Sequence, residues 1–132
     1  MIIEYWTLLI AAGLGLIHVS AASFAFKAQV GNDYTVGARD DVLQPSGLAG
    51  RLYRAQTNFM ETFPLFVACI FLVDATQSIG TLSQWGCILY LSGRVLFLPL
   101  YAIGVPWLRT FSWNIATLGL VMVGLSVALK AT

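Results

Sequence analysis

The sequence predicts an all-α integral membrane protein, a bundle of four membrane-spanning helices. Three observations lead there. The chain of 132 residues is 58% hydrophobic and only 10% charged, far from the balance of soluble domains. Its charges are confined to a few places, so that residues 5–26, 75–93 and 110–129 carry no formal charge. Each of these stretches is close to the roughly 20 apolar residues a helix needs to cross the hydrocarbon of a bilayer. A fourth apolar run, residues 62–73, reaches that length only if the polar stretch before it, "RLYRAQTNFMETFPLF" at 51–66, belongs to the same helix. A soluble bundle can also bury wholly apolar helices, but four of them in so short a chain leave almost nothing for a wetted surface. Residues 1–132 are expected to form one domain.

The elements follow in order. The first span starts almost at Met1, lacks a basic leading region and is long for a cleavable signal, so it is expected to stay as a helix. Mid-span it carries His18, expected to hydrogen-bond in helix packing, with a proton relay as the minority reading. The first connection, "GNDYTVGARDDVLQPSG" at 31–47, has loop composition and ends at Pro45-Ser46-Gly47, with Ser46 placed to cap the second span. That span carries Pro64, and a short turn over 74–81 leads to the third, which continues past Arg94 and carries Pro99. Gly104-Val105-Pro106 marks the turn into the fourth. Cys69 and Cys87 fall in different spans with no CxxC spacing, so neither a thiol redox motif nor a metal site is expected.

Charge placement orients the bundle. Lys27, Arg39, Arg51 and Arg54 lie in or beside the first connection, and Arg94 and Arg109 flank the third, whereas the second has no Lys or Arg. The positive-inside rule then puts connections one and three in the cytoplasm and both termini outside; if the chain is bacterial, the membrane is the cytoplasmic (inner) one.

The polar stretch is patterned. Residues three, four and seven apart share a helix face, and Arg51, Arg54, Asn58 and Glu61 fall within about 80° of arc, with Gln56 on nearly the opposite side. In the third span Tyr90, Arg94, Phe97 and Tyr101 recur at four, three and four. Charges in a span face protein or a water-filled cavity. One reading is an internal ion pair of Arg54 or Arg94 with Glu61 that locks the bundle. The other is a ligand zone, because Lys27, Arg51, Arg54, Arg94 and Arg109 gather near one mouth against Glu61 as the one carboxylate embedded in a span. A surplus of cations suits an anionic, amphiphilic ligand.

The run "RLYRAQTNFMETFPLF" resembles the second-helix signature of the MAPEG family, membrane-associated proteins in eicosanoid and glutathione metabolism. The resemblance extends to the four-helix layout, the long first loop and "YLSGRVLFLPLYAIGVPWLRT". It implies a homotrimer in the lipid membrane that binds glutathione as co-substrate between neighbouring subunits, on the cytoplasmic half, with no metal and no nucleic-acid partner. Residue by residue, Arg54, Asn58 and Glu61 match positions that hold the tripeptide from one subunit, and Gln56 one that contributes from the next. Arg51 matches a basic position at the helix start, Tyr101 a glutathione-contacting tyrosine, and Lys27 the basic end of helix one by position. Arg109 is the nearest counterpart of the arginine that stabilises the thiolate, and Arg94 belongs to the same cationic zone. Thr62 and Phe97 stand where close family members carry tyrosines, which removes two hydroxyl contacts.

The function this implies is a glutathione-dependent transferase or peroxidase acting on a lipophilic small molecule, an electrophile or hydroperoxide. Two readings from other classes stay open. A small transporter would use Glu61 as an intramembrane proton or cation site, and a non-catalytic membrane trimer would be indifferent to Arg109.

Overall fold

The computed structural model describes residues 1–130, and the last two residues of the expected domain, 131–132, lie outside the described residues. Its elements are α1 (Ile3–Val30), α2 (Asn32–Val36), α3 (Gly47–Ala75), α4 (Thr81–Ala102) and α5 (Pro106–Lys130). Among the described residues, α1, α3, α4 and α5 are the four helices long and apolar enough to cross a membrane. At 1.5 Å per residue the 22 residues of α4 extend about 33 Å, enough for a hydrocarbon layer of about 30 Å. The bundle turns large apolar side chains outward, among them Leu16, Phe24, Phe71 and Phe111, each more than 60% exposed. A surface of that kind belongs against lipid or another protein.

The core runs through all four long helices: Ala11 of α1, Phe66, Ile70 and Val73 of α3, Cys87 and Tyr90 of α4, and Ala116 and Val123 of α5. Phe66 and Tyr90 stack with ring centroids 4.0 Å apart and planes 12° apart, an aromatic pair of the kind worth about 0.5–1.5 kcal/mol beyond burial. The closest pairing is α4 on α5. Small residues allow it, because a Cβ on Gly93 would sit 2.7 Å from the Ala116 nitrogen and the Ser112 carbonyl oxygen. Ser112 Oγ uses the proximity to donate to the Gly93 carbonyl. Between lipid-immersed helices such close backbone contact and interhelical bonding replace the hydrophobic drive. Gly104, at φ +76°, turns the chain between α4 and α5. Pro106 then opens α5 where its missing N–H has no helical partner to lose.

The structure differs from the sequence reading in several places. The first connection folds a short helix, α2, before running without regular secondary structure to Ser46. Ser46 occupies the N-cap position of α3, but its side chain makes no capping bond. The third helix begins at Thr81, so Arg94 lies well inside it rather than flanking a connection. His18 is fully buried and stacks on Phe59 at 4.7 Å, with neither ring nitrogen hydrogen-bonded. Glu61 is not the one embedded carboxylate: Glu4, just before the uncharged stretch 5–26, is inside α1 and 1% exposed. Ser83 of α4 accepts the Gly80 N–H at 3.0 Å and donates to Glu4 Oε1 at 2.5 Å. Glu4 thereby ties the start of α1 to the start of α4.

Candidate functional site

At the opposite end of the bundle, where α4 turns into α5, a cleft of about 250 Å³ opens between α3, α4 and α5. Asn58 of α3, Phe97 and Tyr101 of α4, and Arg109, Thr110 and Trp113 of α5 line it. Phe97 and Tyr101 are four residues apart, as are Arg109 and Trp113, so each pair presents one helix face to the cleft. The Arg109 guanidinium stands over the Tyr101 ring, 4.4 Å from its centroid. It is half-buried, whereas Trp107, two residues earlier, is 84% exposed and points away.

Arg94 stands behind the cleft. It is fully buried, between the rings of Tyr90 (5.8 Å) and Phe97 (5.4 Å). Its Nη1 donates to Asn58 Oδ1 at 2.7 Å and its Nη2 donates to Thr62 Oγ1. The Tyr90 hydroxyl lies 3.5 Å from the same threonine oxygen. Both terminal nitrogens of Arg94 thus go to neutral oxygens of α3 rather than to Glu61, so the proposed lock between Arg94 and Glu61 is not what holds this guanidinium. A buried charge is tolerable only with such partners.

The remaining sequence-derived candidates are dispersed. Arg54 is exposed and reaches the edge of the cluster, 6.0 Å from the Tyr101 ring centroid on its guanidinium carbon. Arg51 donates through Nε to the Ala102 carbonyl at 2.8 Å, joining the start of α3 to the end of α4. Glu61 is exposed and Gln56 half-buried, and neither lines the cleft. Lys27 lines a second cleft, of about 290 Å³, with Arg39, Tyr53, Ser23 and Thr35. One chain therefore brings together Asn58, Tyr101 and Arg109, with Arg94 behind and Arg54 at the rim, and leaves Lys27, Gln56 and Glu61 outside. Thr110 and Trp113 were missed in the sequence. Their signal was position alone, beside Arg109 and one turn beyond it.

Chemically the cleft favours an anion. Arg109 can only donate, Thr110 and Tyr101 offer hydroxyls, and no carboxylate lines it. Among the described residues there is no group of three or more His, Cys, Asp or Glu able to hold a metal ion.

No curated protein matches the chain. The profile of the MAPEG family matches residues 3–129, from the start of α1 to the last turn of α5. With nearly its whole length covered, the chain belongs to the MAPEG family.

Proposed function

We propose that this protein is a glutathione-dependent membrane transferase or peroxidase whose thiol is activated at Arg109. Membership of the family and four apolar helices make it an integral multi-pass membrane protein with the glutathione-related chemistry general to that family. The observation that carries the finer reading is the half-buried guanidinium of Arg109 over Tyr101 in a cleft without a carboxylate. A thiol loses its proton to water, and the thiolate, the effective nucleophile, is held beside Arg109. The first turn of α5 adds the partial positive charge of its free N–H groups. In transfer the thiolate attacks an electrophilic carbon and displaces a leaving group, forming a thioether. In peroxidase turnover two glutathiones reduce a hydroperoxide to an alcohol and water and leave as the disulfide. The lipophilic partner enters from the bilayer.

The site is completed by a second copy of the chain. Glu61 stands at the middle of the 29-residue α3 and faces outward together with Arg54. A charge at that depth costs about 2.5–3.5 kcal/mol against lipid, which is avoided when a neighbouring subunit covers the face. In a closed trimer, Arg54, Asn58 and Glu61 hold glutathione from one subunit, through its carboxylates and amine, and Gln56 and Lys27 reach it from the next. Connections one and three are cytoplasmic, which places the site on that side.

Purified protein with glutathione and an aromatic halide or lipid hydroperoxide tests the activity, and no turnover with either would refute it. Mixed oligomers test the composite site. Arg109→Ala and Gln56→Glu subunits, each impaired alone, regain about a quarter of wild-type activity when mixed equally, since one interface in four then pairs an intact Arg109 with an intact Gln56. A site built within one chain regains none.

A further inference from the structure

We infer that Arg94 is a positioning residue that fixes the side-chain amide of Asn58 with its NH2 toward the cleft, so that Asn58 presents a hydrogen-bond donor there. The inference rests on the proposed site and assigns Arg94 a part in it other than ligand contact. A guanidinium has no acceptor. The 2.7 Å contact between Arg94 Nη1 and Asn58 therefore requires Oδ1 on the arginine side, whichever way an amide could otherwise be turned. Nδ2 must then point away from Arg94, and Asn58 lines the cleft.

The arrangement holds the amide firmly. Arg94 is fully buried, its second terminal nitrogen is tied to Thr62, and its guanidinium lies between Tyr90 and Phe97. Tyr90 is itself stacked on Phe66. Rotating Asn58 would bring its NH2 against a cation with no acceptor to receive it. The amide dipole is thereby aligned with its oxygen on the buried charge and its NH2 toward the opening, so Asn58 hands on the positive potential of Arg94. Together with Arg109, it makes the cleft select ligands that bring acceptor oxygens or an anionic sulfur. An asparagine free to turn would accept a donor equally well and discriminate less.

A double-mutant cycle on glutathione affinity tests this, using calorimetric titration of the detergent-solubilised oligomer with Arg94→Met, Asn58→Ala and both together, with a thermal midpoint recorded for each. Arg94→Met is expected to weaken glutathione about tenfold, the order of one well-made hydrogen bond. Asn58→Ala should weaken it at least as much, and the double variant no more than Asn58→Ala alone. Additive losses would show Arg94 acting on the ligand directly or on the site at large, and would overturn the inference.

A second measurement needs neither ligand nor a folded variant of Arg94. In nitrogen-edited spectra of the wild type, the Asn58 side-chain amide, identified by its absence in Asn58→Ala, should exchange its protons rapidly with water because they face the cleft. Protected protons would place the NH2 in the bundle and refute the orientation. Rapid exchange in a wild type that binds no glutathione would leave the orientation standing and remove the proposed ligand instead.

Discussion

Arg109→Ala should convert the enzyme from one working with a preformed thiolate into one waiting for it. In water a cysteine thiol titrates near 8.5. Arg109 is half-buried and its guanidinium lies 4.4 Å from the Tyr101 centroid, so a sulfur bound against the same ring would stand at comparable range. At about 4 Å and an effective dielectric of about 20, a unit charge stabilises the thiolate by roughly 4 kcal/mol. At about 1.4 kcal/mol per unit that lowers the bound thiol by about 3 units. Near neutrality the bound thiol is then almost wholly ionised in the wild type and ionised in only about one molecule in thirty in the variant. Turnover at neutral pH should fall at least about thirtyfold, and further to the extent that Arg109 also stabilises charge in the transition state. The sign with pH is fixed. Lowering the thiol's pKa matters below its unperturbed value, so the variant should recover as pH rises toward 9 while the wild type stays flat. The assays are the pH profile of kcat at saturating glutathione and the ultraviolet absorbance of bound thiolate. A variant with a flat profile, retained thiolate absorbance and near-normal turnover would refute the reasoning.

Three further outcomes are expected. Gly93→Val drives a Cβ into the backbone of Ala116 and Ser112, so the thermal midpoint in detergent should drop, with a loss of about 1–3 kcal/mol. Gly124→Ala, whose Cβ meets only Cys69 Sγ at 3.8 Å, should be neutral or mildly stabilising, and equal effects of the two would contradict the packing described. Ser83→Ala takes the hydroxyl from the buried Glu4 carboxylate and should cost about 1–3 kcal/mol of stability, read by melting. Glutathione affinity should stay unchanged, because that bond lies at the other end of the bundle. Glu61→Gln should raise the KM for glutathione about ten- to a hundredfold through loss of a charge-assisted bond, with the melting temperature recorded alongside to separate this from a loss of folding; an unaltered KM would remove Glu61 from the site.

The fold was legible because a bilayer imposes a length and forbids charge, and uncharged runs separated by polar turns carry that constraint openly. The stripe of the third span was equally readable: Tyr90, Arg94 and Phe97 are buried on one face and Tyr101 half-buried at the cleft. Less was visible where the constraint is three-dimensional. Arg94 could be placed on the stripe of the third span, but nothing in the linear order shows that Asn58 and Thr62 of another helix receive it. Glu4 escaped notice for the same reason, since Ser83 is far along the chain. Trp113 was hidden by being apolar among apolar residues, and Lys27 shared a depth with the other cations without sharing their azimuth.

The polar residues of α3 divide by direction, and the division explains why so many strong groups enter an apolar phase. Asn58 and Thr62 turn inward and accept from the two terminal nitrogens of Arg94, while Arg54 and Glu61 are exposed. Had Glu61 paired with Arg94, the two charges would cancel and the cleft would see little field. With two neutral oxygens as the partners of its terminal nitrogens instead, the guanidinium is not neutralised by a direct ion pair. At an effective dielectric of about 20, such a charge roughly 8 Å away still favours an anion by about 2 kcal/mol. Burying an arginine without a carboxylate is a poor way to stabilise a bundle. It is a sound way to hold a standing positive potential beside Arg109, as the proposed binding of an anionic thiolate there requires.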